Sequence, residues 1–143
     1  MTNDQVEKVL IAGKWINSTG TRTFQATNPT TGDEIARKFP VSVWEEVDSA
    51  LEAASLAFEG LRSVAPEAIA TFLETYADLI AADKETLVRL ANEESGLPAS
   101  PRLGEVELPR TISQLKQAAN ACRTGSWGPR KIKRKKKNKR KSE

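Results

Sequence analysis

Histidine is absent from the 143 residues, and cysteine, methionine and tyrosine occur once each. Without an imidazole there is no Ser-His pair, no histidine base and no histidine metal ligand. A single cysteine, Cys122, makes neither an internal disulfide nor a cysteine-rich zinc site, and it fits a reduced cytosolic setting. No apolar run approaches the ~20 residues of a membrane span. Asp4 and Glu7 stand where a secretory leader would be positive, and no long apolar stretch follows them. Gly13, Gly20, Gly32 and Gly60 never take the spacing of a phosphate-binding loop. These absences lead us to expect a soluble, cytoplasmic protein without membrane contact.

What is present divides into two parts. Hydrophobic residues make up 38% of the chain, enough for a modest core. The formal net charge of +3 hides a segregation. Residues 1–129 hold 12 Lys+Arg against 18 Asp+Glu, a net charge of −6. Residues 130–143 hold 10 Lys+Arg and one Glu, a net charge of +9. A composition boundary therefore falls near Gly128-Pro129. We divide the chain into residues 1–127 and a basic low-complexity tail, 128–143.

Local patterns give the elements. Val9 to Ile16 reads as a hairpin around Ala12-Gly13. Thr23 to Thr27 and Glu34 to Phe39 read as arms on either side of a turn, Asn28-Pro29-Thr30-Thr31-Gly32-Asp33. Ser42-Val43-Trp44-Glu45 has capping-box spacing and predicts a helix start. Val47, Ala50, Leu51, Ala54, Ala57 and Phe58 then share one helical face, with Gly60 as the stop. Pro66 predicts the start of a second helix, with Ile69, Phe72, Leu73, Tyr76, Ala77 and Ile80 as its stripe. Asp83 predicts the cap of a third, through Leu87, Leu90 and Ala91, ended by Gly96 and Pro98. Pro109 interrupts any helix before it, and a fourth runs from about Arg110 to Ala121.

Paired strands followed by about four helices make an α/β chain with little sheet for its helices to cover. Such a list suits part of something larger, although a small helical bundle capped by a hairpin has the same list.

Several of these motifs together resemble a known family. Ile11-Ala12-Gly13-Lys14-Trp15-Ile16, then Asn28-Pro29-Thr30-Thr31-Gly32, resembles the entry of NAD(P)-dependent aldehyde dehydrogenases. The Ala50–Phe58 helix is similar to their first long helix. Glu93-Glu94-Ser95-Gly96-Leu97-Pro98, Pro109-Arg110-Thr111 with Gln114-Leu115, and Arg123-Thr124-Gly125-Ser126-Trp127 resemble the branch that handles ketoglutarate semialdehyde and fatty aldehydes, often with NADP. Order and spacing over residues 9–127 carry the resemblance, which is to the N-terminal segment only and stops where the composition changes.

The resemblance implies peripheral strands and outer helices of a coenzyme-binding domain, with Arg110 and Gln114 bordering the substrate tunnel of the parent enzyme. It implies that the family's chemistry follows this region. That chemistry is a cysteine nucleophile, an oxyanion-holding asparagine, a glutamate base and a glycine-bearing turn for the dinucleotide phosphates. A complete member would be roughly three to four times longer. The expectation is a chain that binds neither NAD nor NADP and has no activity alone, with full-length aldehyde dehydrogenase subunits as partners.

Other candidate chemistry is weaker. Cys122 sits among Ala118, Ala119 and Ala121 without a base, and reads better as a small packed residue than as a nucleophile. Arg123 beside it would lower a thiol pKa, but adjacent helix residues face apart. Glu93, Glu94 and Glu105 read better as exposed helix-end acids than as paired catalytic carboxylates. Trp15, Trp44 and Trp127 read as core or interface anchors.

The tail has two readings. Arg130, Lys131, Lys133, Arg134, Lys135, Lys136, Lys137, Lys139, Arg140 and Lys141 make ten cations among the twelve residues 130–141. Such a segment stays extended and disordered, and binds nucleic acid without sequence preference, because no aromatics interleave the charges. Alternatively, Lys, Arg, Asn and Ile share A-rich codons, so a reading-frame slip would write the same tail by accident. The coincidence of the tail with the end of the resemblance favours the slip.

Overall fold

The computed structural model describes residues 6–126. Strand β1 (Val9–Ile11) pairs antiparallel with β2 (Lys14–Ile16), with Leu10 opposite Trp15. Ala12 (φ 51°) and Gly13 (φ 77°) both occupy the left-handed region that a two-residue hairpin turn of this hand requires. Strand β3 (Thr23–Phe24) pairs with β4 (Phe39–Pro40), and the Phe24 and Phe39 rings stack at 5.6 Å. The arms expected over 23–27 and 34–39 are thus shorter as strands. Between them Thr27 and Glu34 form an isolated bridge that closes the Asn28–Asp33 turn. Asn28 Oδ1 accepts from the Thr30 N–H at 2.9 Å, the local bond expected of an asparagine there.

The helices are α1 (Trp44–Leu61), α2 (Pro66–Ala82), α3 (Lys84–Ser95) and α4 (Leu108–Thr124). The segment Ala99–Glu107, extended at Ser100 (φ −125°, ψ 137°) and otherwise wound in wide turns, leads directly into α4. Pro109 therefore does not separate two helices. It stands in the first turn of α4, where its missing N–H costs nothing. Gly60 lies within α1 rather than ending it. Asp83 occupies the cap position of α3 but makes no side-chain capping bond. Gly96 (φ 68°) ends α3 as expected.

The α1 start also differs from its expected form. Val43 is the capping residue, and no side chain caps the helix. The expected box of Ser42 and Glu45 is not formed. Glu46, in the third position of the helix, is the carboxylate that is held, and Ser42 is one of its donors.

The main helix–helix contact is α2 against α4. Its centre is small: Ala70 and Ala77 of α2 and Ala119 of α4 are each 0% exposed. The stripe read along α2 is consequently split. At 100° per residue Ala70 and Ala77 face one way, while Phe72, Tyr76 and Leu79 face the other and are exposed. The principal neighbour of α1 is β1. Trp44, Leu51 and Phe58 on its apolar face are exposed. Each such side chain left in water forgoes roughly 1.5–3 kcal/mol of burial free energy.

Candidate functional site

Helix α4 carries the residues expected to border a substrate tunnel. Leu108, Ile112, Leu115, Ala119 and Cys122 recur on its inner side, where they are buried or half-buried. Arg110 and Gln114, one turn apart, stand on the opposite side and are exposed. The helix thus presents both side chains together, away from the α2 contact.

Cys122 is a free, half-buried thiol on the inner side of α4. Its neighbour Arg123 is committed elsewhere. Arg123 Nε donates to both Glu67 oxygens at 3.0 Å, and Nη2 donates to Glu67 Oε1 at 2.9 Å and Glu74 Oε2 at 2.7 Å. Bonding to Arg123 holds the Glu74 carboxyl below its ordinary value, and the two carboxylates raise the guanidinium in turn. Two turns before Arg123 on α4, Lys116 pairs with Asp78 of α2 at 3.0 Å. The α2–α4 seam is therefore small and apolar at its centre, with ionic contacts along one edge. Nothing in this arrangement activates the thiol.

The carboxylates at the end of α3 do not converge. Glu93 pairs with Arg89 at 2.7 Å. Glu105 accepts from the Ser100 hydroxyl at 2.7 Å. Glu94 is exposed. Among the described residues no group of three or more His, Cys, Asp and Glu side chains is placed to hold a metal. A cleft of about 330 Å3 lies between α2, α3 and α4, lined by Ile80, Leu87, Val88, Ala91, Leu103 and Leu108 among others. Its one carboxylate, Glu107, is paired with Arg102 at 2.6 Å; the Tyr76 and Thr111 hydroxyls are its other polar side-chain groups, and Thr111 donates to the Glu107 carbonyl at 3.0 Å, so the cleft is mainly an apolar notch.

Glu46 is the most constrained carboxylate, and sequence reasoning passed over it. It is 8% exposed. The Thr19 N–H donates to Oε1 at 2.6 Å, the Thr19 hydroxyl to Oε1 at 3.1 Å and the Ser18 hydroxyl to Oε2 at 2.8 Å. These bonds, led by the backbone amide, pull its pKa down to about 2 against the opposing effect of burial. The only sequence signal was Ser18-Thr19 ahead of an acidic helix start, and a separation of 27–28 residues hides it. The group is an anchor between the β2–β3 loop and α1.

A dinucleotide does not fit the described residues. Its phosphates need a glycine-bearing turn from strand to helix start. The passage from β4 into α1 runs Phe39-Pro40-Val41-Ser42-Val43-Trp44, without glycine, and Glu45 and Glu46 occupy the first helical turn. Two carboxylates there oppose an incoming pyrophosphate.

Among the described residues no helix is long and apolar enough to cross a membrane. The residues of the basic tail, and Trp127, lie outside the described residues.

Among the described residues two short hairpins are followed by four helices, two of them with uncovered apolar sides, an arrangement that suits a portion of a larger α/β fold. Residues 15–142 match the model of the aldehyde dehydrogenase family, and the chain belongs to that family. The match crosses the change of composition, so the boundary at Trp127 rests on composition alone. Succinate-semialdehyde dehydrogenase (NADP(+)) 2 of Schizosaccharomyces pombe is 37% identical over 115 residues, 80% of this chain and 23% of that protein. Malonate-semialdehyde dehydrogenase 2 of Bacillus mycoides is 37% identical over 121 residues, 85% of this chain and 24% of that protein. The structure of the NAD+ complex of an aldehyde dehydrogenase from Bacillus cereus superposes with a TM-score of 0.74 at 26% identity, over 83% of this chain and 24% of that one. A Bartonella henselae aldehyde dehydrogenase reaches 0.79 at 18% identity over 92% of this chain, a likeness of fold alone. The chain spans about a quarter of the length of these relatives.

Proposed function

We propose that residues 1–143 are the N-terminal region of an enzyme that oxidises an aldehyde to a carboxylic acid with NAD or NADP, and that they have no such activity alone. The supporting observation is the one thiol. Aldehyde oxidation through a thiohemiacetal needs a thiolate open to substrate and a base to bring in water. Cys122 is half-buried on the inner side of α4, and its cationic neighbour is held by Glu67 and Glu74. The β4–α1 passage offers no phosphate cradle, so the chain by itself takes up neither nucleotide.

Within the complete enzyme we assign Arg110 and Gln114 to the border of the substrate tunnel. Their shared exposure on α4 supports this. The motifs around Glu93–Pro98 and Arg110–Leu115 favour a ketoglutarate semialdehyde or fatty aldehyde substrate with NADP, and the single cysteine fits a cytoplasmic setting. The test is direct. Purified chain, an aldehyde and NAD or NADP should yield no NADH or NADPH above background; clear turnover would refute the reading.

The cationic run 130–141 supports a second reading, a chain that binds nucleic acid or another polyanion. Binding to RNA should weaken steeply with salt and vanish when 130–141 are removed. Unchanged binding after that removal would sink it. The DNA after the Trp127 codon separates a selected tail from a frame slip: the rest of the enzyme in another frame supports the slip.

A further inference from the structure

Resting on the assignment of Arg110 and Gln114 to the border of the substrate tunnel, we infer that these two side chains bind a carboxylate at the end of the substrate remote from its aldehyde. The complete enzyme therefore takes semialdehydes of dicarboxylic acids in preference to unsubstituted alkyl aldehydes. Five arginines lie on the helical segments or at their ends. Four of them are neutralised: Arg62 by Glu59 at 3.1 Å, Arg89 by Glu93 at 2.7 Å, Arg102 by Glu107 at 2.6 Å and Arg123 by Glu67 at 2.9 Å. Arg110 is exposed and has no carboxylate partner among the described residues. Its own helix cannot supply one. Residues three and four apart are neighbours on a helix, and around Arg110 these are Val106, Glu107, Ser113 and Gln114. The one acid of that set, Glu107, is held by Arg102.

Gln114 completes the pair. Its amide makes no hydrogen bond among the described residues, whereas Gln117 on the same helix donates to Ser113 Oγ at 3.1 Å. Side chains at this spacing start about 5–6 Å apart, so both reach one anionic group. The guanidinium presents a flat fork of N–H donors that matches a carboxylate, and the amide adds another donor. Neither residue has a nucleophile or base beside it. Cys122 stands about three turns further along α4 and on its inner side. The substrate end that meets Arg110 is thus not the reacting end. An alkyl chain laid there would strip water from the guanidinium and supply no counter-charge, which is unfavourable. A carboxylate supplies both the charge and the hydrogen bonds. Of the two substrates that the motifs favour, ketoglutarate semialdehyde carries such a group and a fatty aldehyde does not.

The test uses a complete enzyme, the Schizosaccharomyces pombe relative with its matching 115 residues replaced by those of this chain. The substrates are succinate semialdehyde and glutarate semialdehyde, against butanal and pentanal, which have the same carbon count and no carboxylate. Arg110→Leu should raise KM for both semialdehydes at least about tenfold, as loss of a charged hydrogen-bond partner does. It should leave kcat within about twofold, because the contact is made equally before and during the reaction. KM for butanal and pentanal should stay the same or fall. Arg110→Lys should recover part of the loss, being a point charge without the fork, and Gln114→Ala should raise KM for the semialdehydes by less. A merely structural Arg110 would lower kcat for all four aldehydes, and that result, or equal KM changes for all four, or no change for any, would overturn the inference. If the joined enzyme oxidises no aldehyde while the relative does, the reading of this chain as an enzyme's N-terminal region fails, and the full chain by itself decides carboxylate recognition. Glutarate should then shift the Arg110 Nε–H resonance at lower concentration than those of Arg22 and Arg37, exposed arginines outside the helices, and Gln114→Ala should remove the difference. Three arginines responding alike would refute it.

Discussion

Substituting Gly20 by alanine tests whether the β2–β3 loop holds α1 in place. A Cβ at Gly20 would lie 2.2 Å from the Val41 carbonyl oxygen and 3.2 Å from Ser18 Oγ. The first contact is about 1 Å too short, so backbone must move. Val41 cannot simply retreat, because its N–H is bonded to the Arg22 carbonyl at 2.8 Å. The loop would shift instead, and the loop carries the Ser18 hydroxyl and Thr19 amide that bind Glu46. Forced overpacking costs about 1–3 kcal/mol, and one loosened hydrogen bond adds about 1 kcal/mol. A total of about 2–4 kcal/mol is a large part of the roughly 5–15 kcal/mol that stabilises a domain. At about 4 °C per kcal/mol for a chain of this size, Tm should fall by roughly 8–16 °C. The assay is thermal unfolding followed by helical circular dichroism. Gly60→Ala is the matched control. A Cβ there meets nothing within 4 Å, so alanine inside α1 should stabilise by about 0.5–1 kcal/mol. If Gly20→Ala melts no lower than the parent, the loop does not constrain α1 and the argument from the close contact is wrong.

Three further outcomes follow from the same contacts. Glu46 titrates near 2 in the folded chain against 4.5 for an unperturbed carboxyl. Its depressed pKa contributes stability that is fully present above about pH 4.5 and is lost as pH falls toward 2. Glu46→Gln should therefore lower the urea midpoint near neutral pH, with the gap from the parent closing between pH 4.5 and 2; a gap independent of pH would refute the role assigned to the carboxylate. Gly96→Ala should cost about 1–2 kcal/mol, because φ is 68° and the new Cβ would sit 3.1 Å from Pro29 Cγ; an unchanged denaturant midpoint would count against it. Arg123→Ala should loosen the end of α4, seen as faster amide exchange there and a smaller dependence of stability on salt, and protection equal to that of the parent would contradict the ionic clasp.

The features that were legible in the sequence are those with a local cause. Ala12-Gly13 and Asn28–Asp33 announce their turns because the needed φ values and side-chain bonds lie within a few residues. The helices announce themselves through period, and Gly96 marks a real stop. The misreadings share a different cause. Ser42 and Glu45 had the spacing of a capping box, yet Glu46 is the carboxylate bound, by donors from a loop 27–28 residues away, and no side chain caps the helix. Arg123 reads locally as a neighbour of Cys122, but its partners Glu67 and Glu74 are 56 and 49 residues distant. Spacing along one helix cannot reveal a partner on another. For the candidate site, Arg110 and Gln114 share one side of α4 because they lie about one turn apart, and their tunnel-border role rests on the resemblance; the character of Cys122 depended on which way the α2–α4 seam faced.

That seam also explains why a single apolar stripe was the wrong description of α2. Close approach of two helices favours small residues, and Ala70, Ala77 and Ala119 supply them. Larger residues at those positions would force the axes apart and pull Arg123 from Glu67 and Glu74. Phe72, Tyr76 and Leu79, which dominate a hydrophobicity plot, are then left facing outward at 67%, 50% and 63% exposure. A helix apolar on two opposite sides is suited to the middle of a layered structure. In the described chain α4 covers the small-residue side, and the large-residue side is bare. The same asymmetry applies to α1, whose acidic side faces water and whose apolar side does too. The two uncovered faces carry most of the large exposed side chains of the helical half, so uncovered surface is concentrated where a second layer belongs rather than scattered. Random surface hydrophobes would not segregate in this way. The segregation is what a segment shaped for a larger α/β fold should show, and it is independent of the sequence identity that places the chain among the aldehyde dehydrogenases.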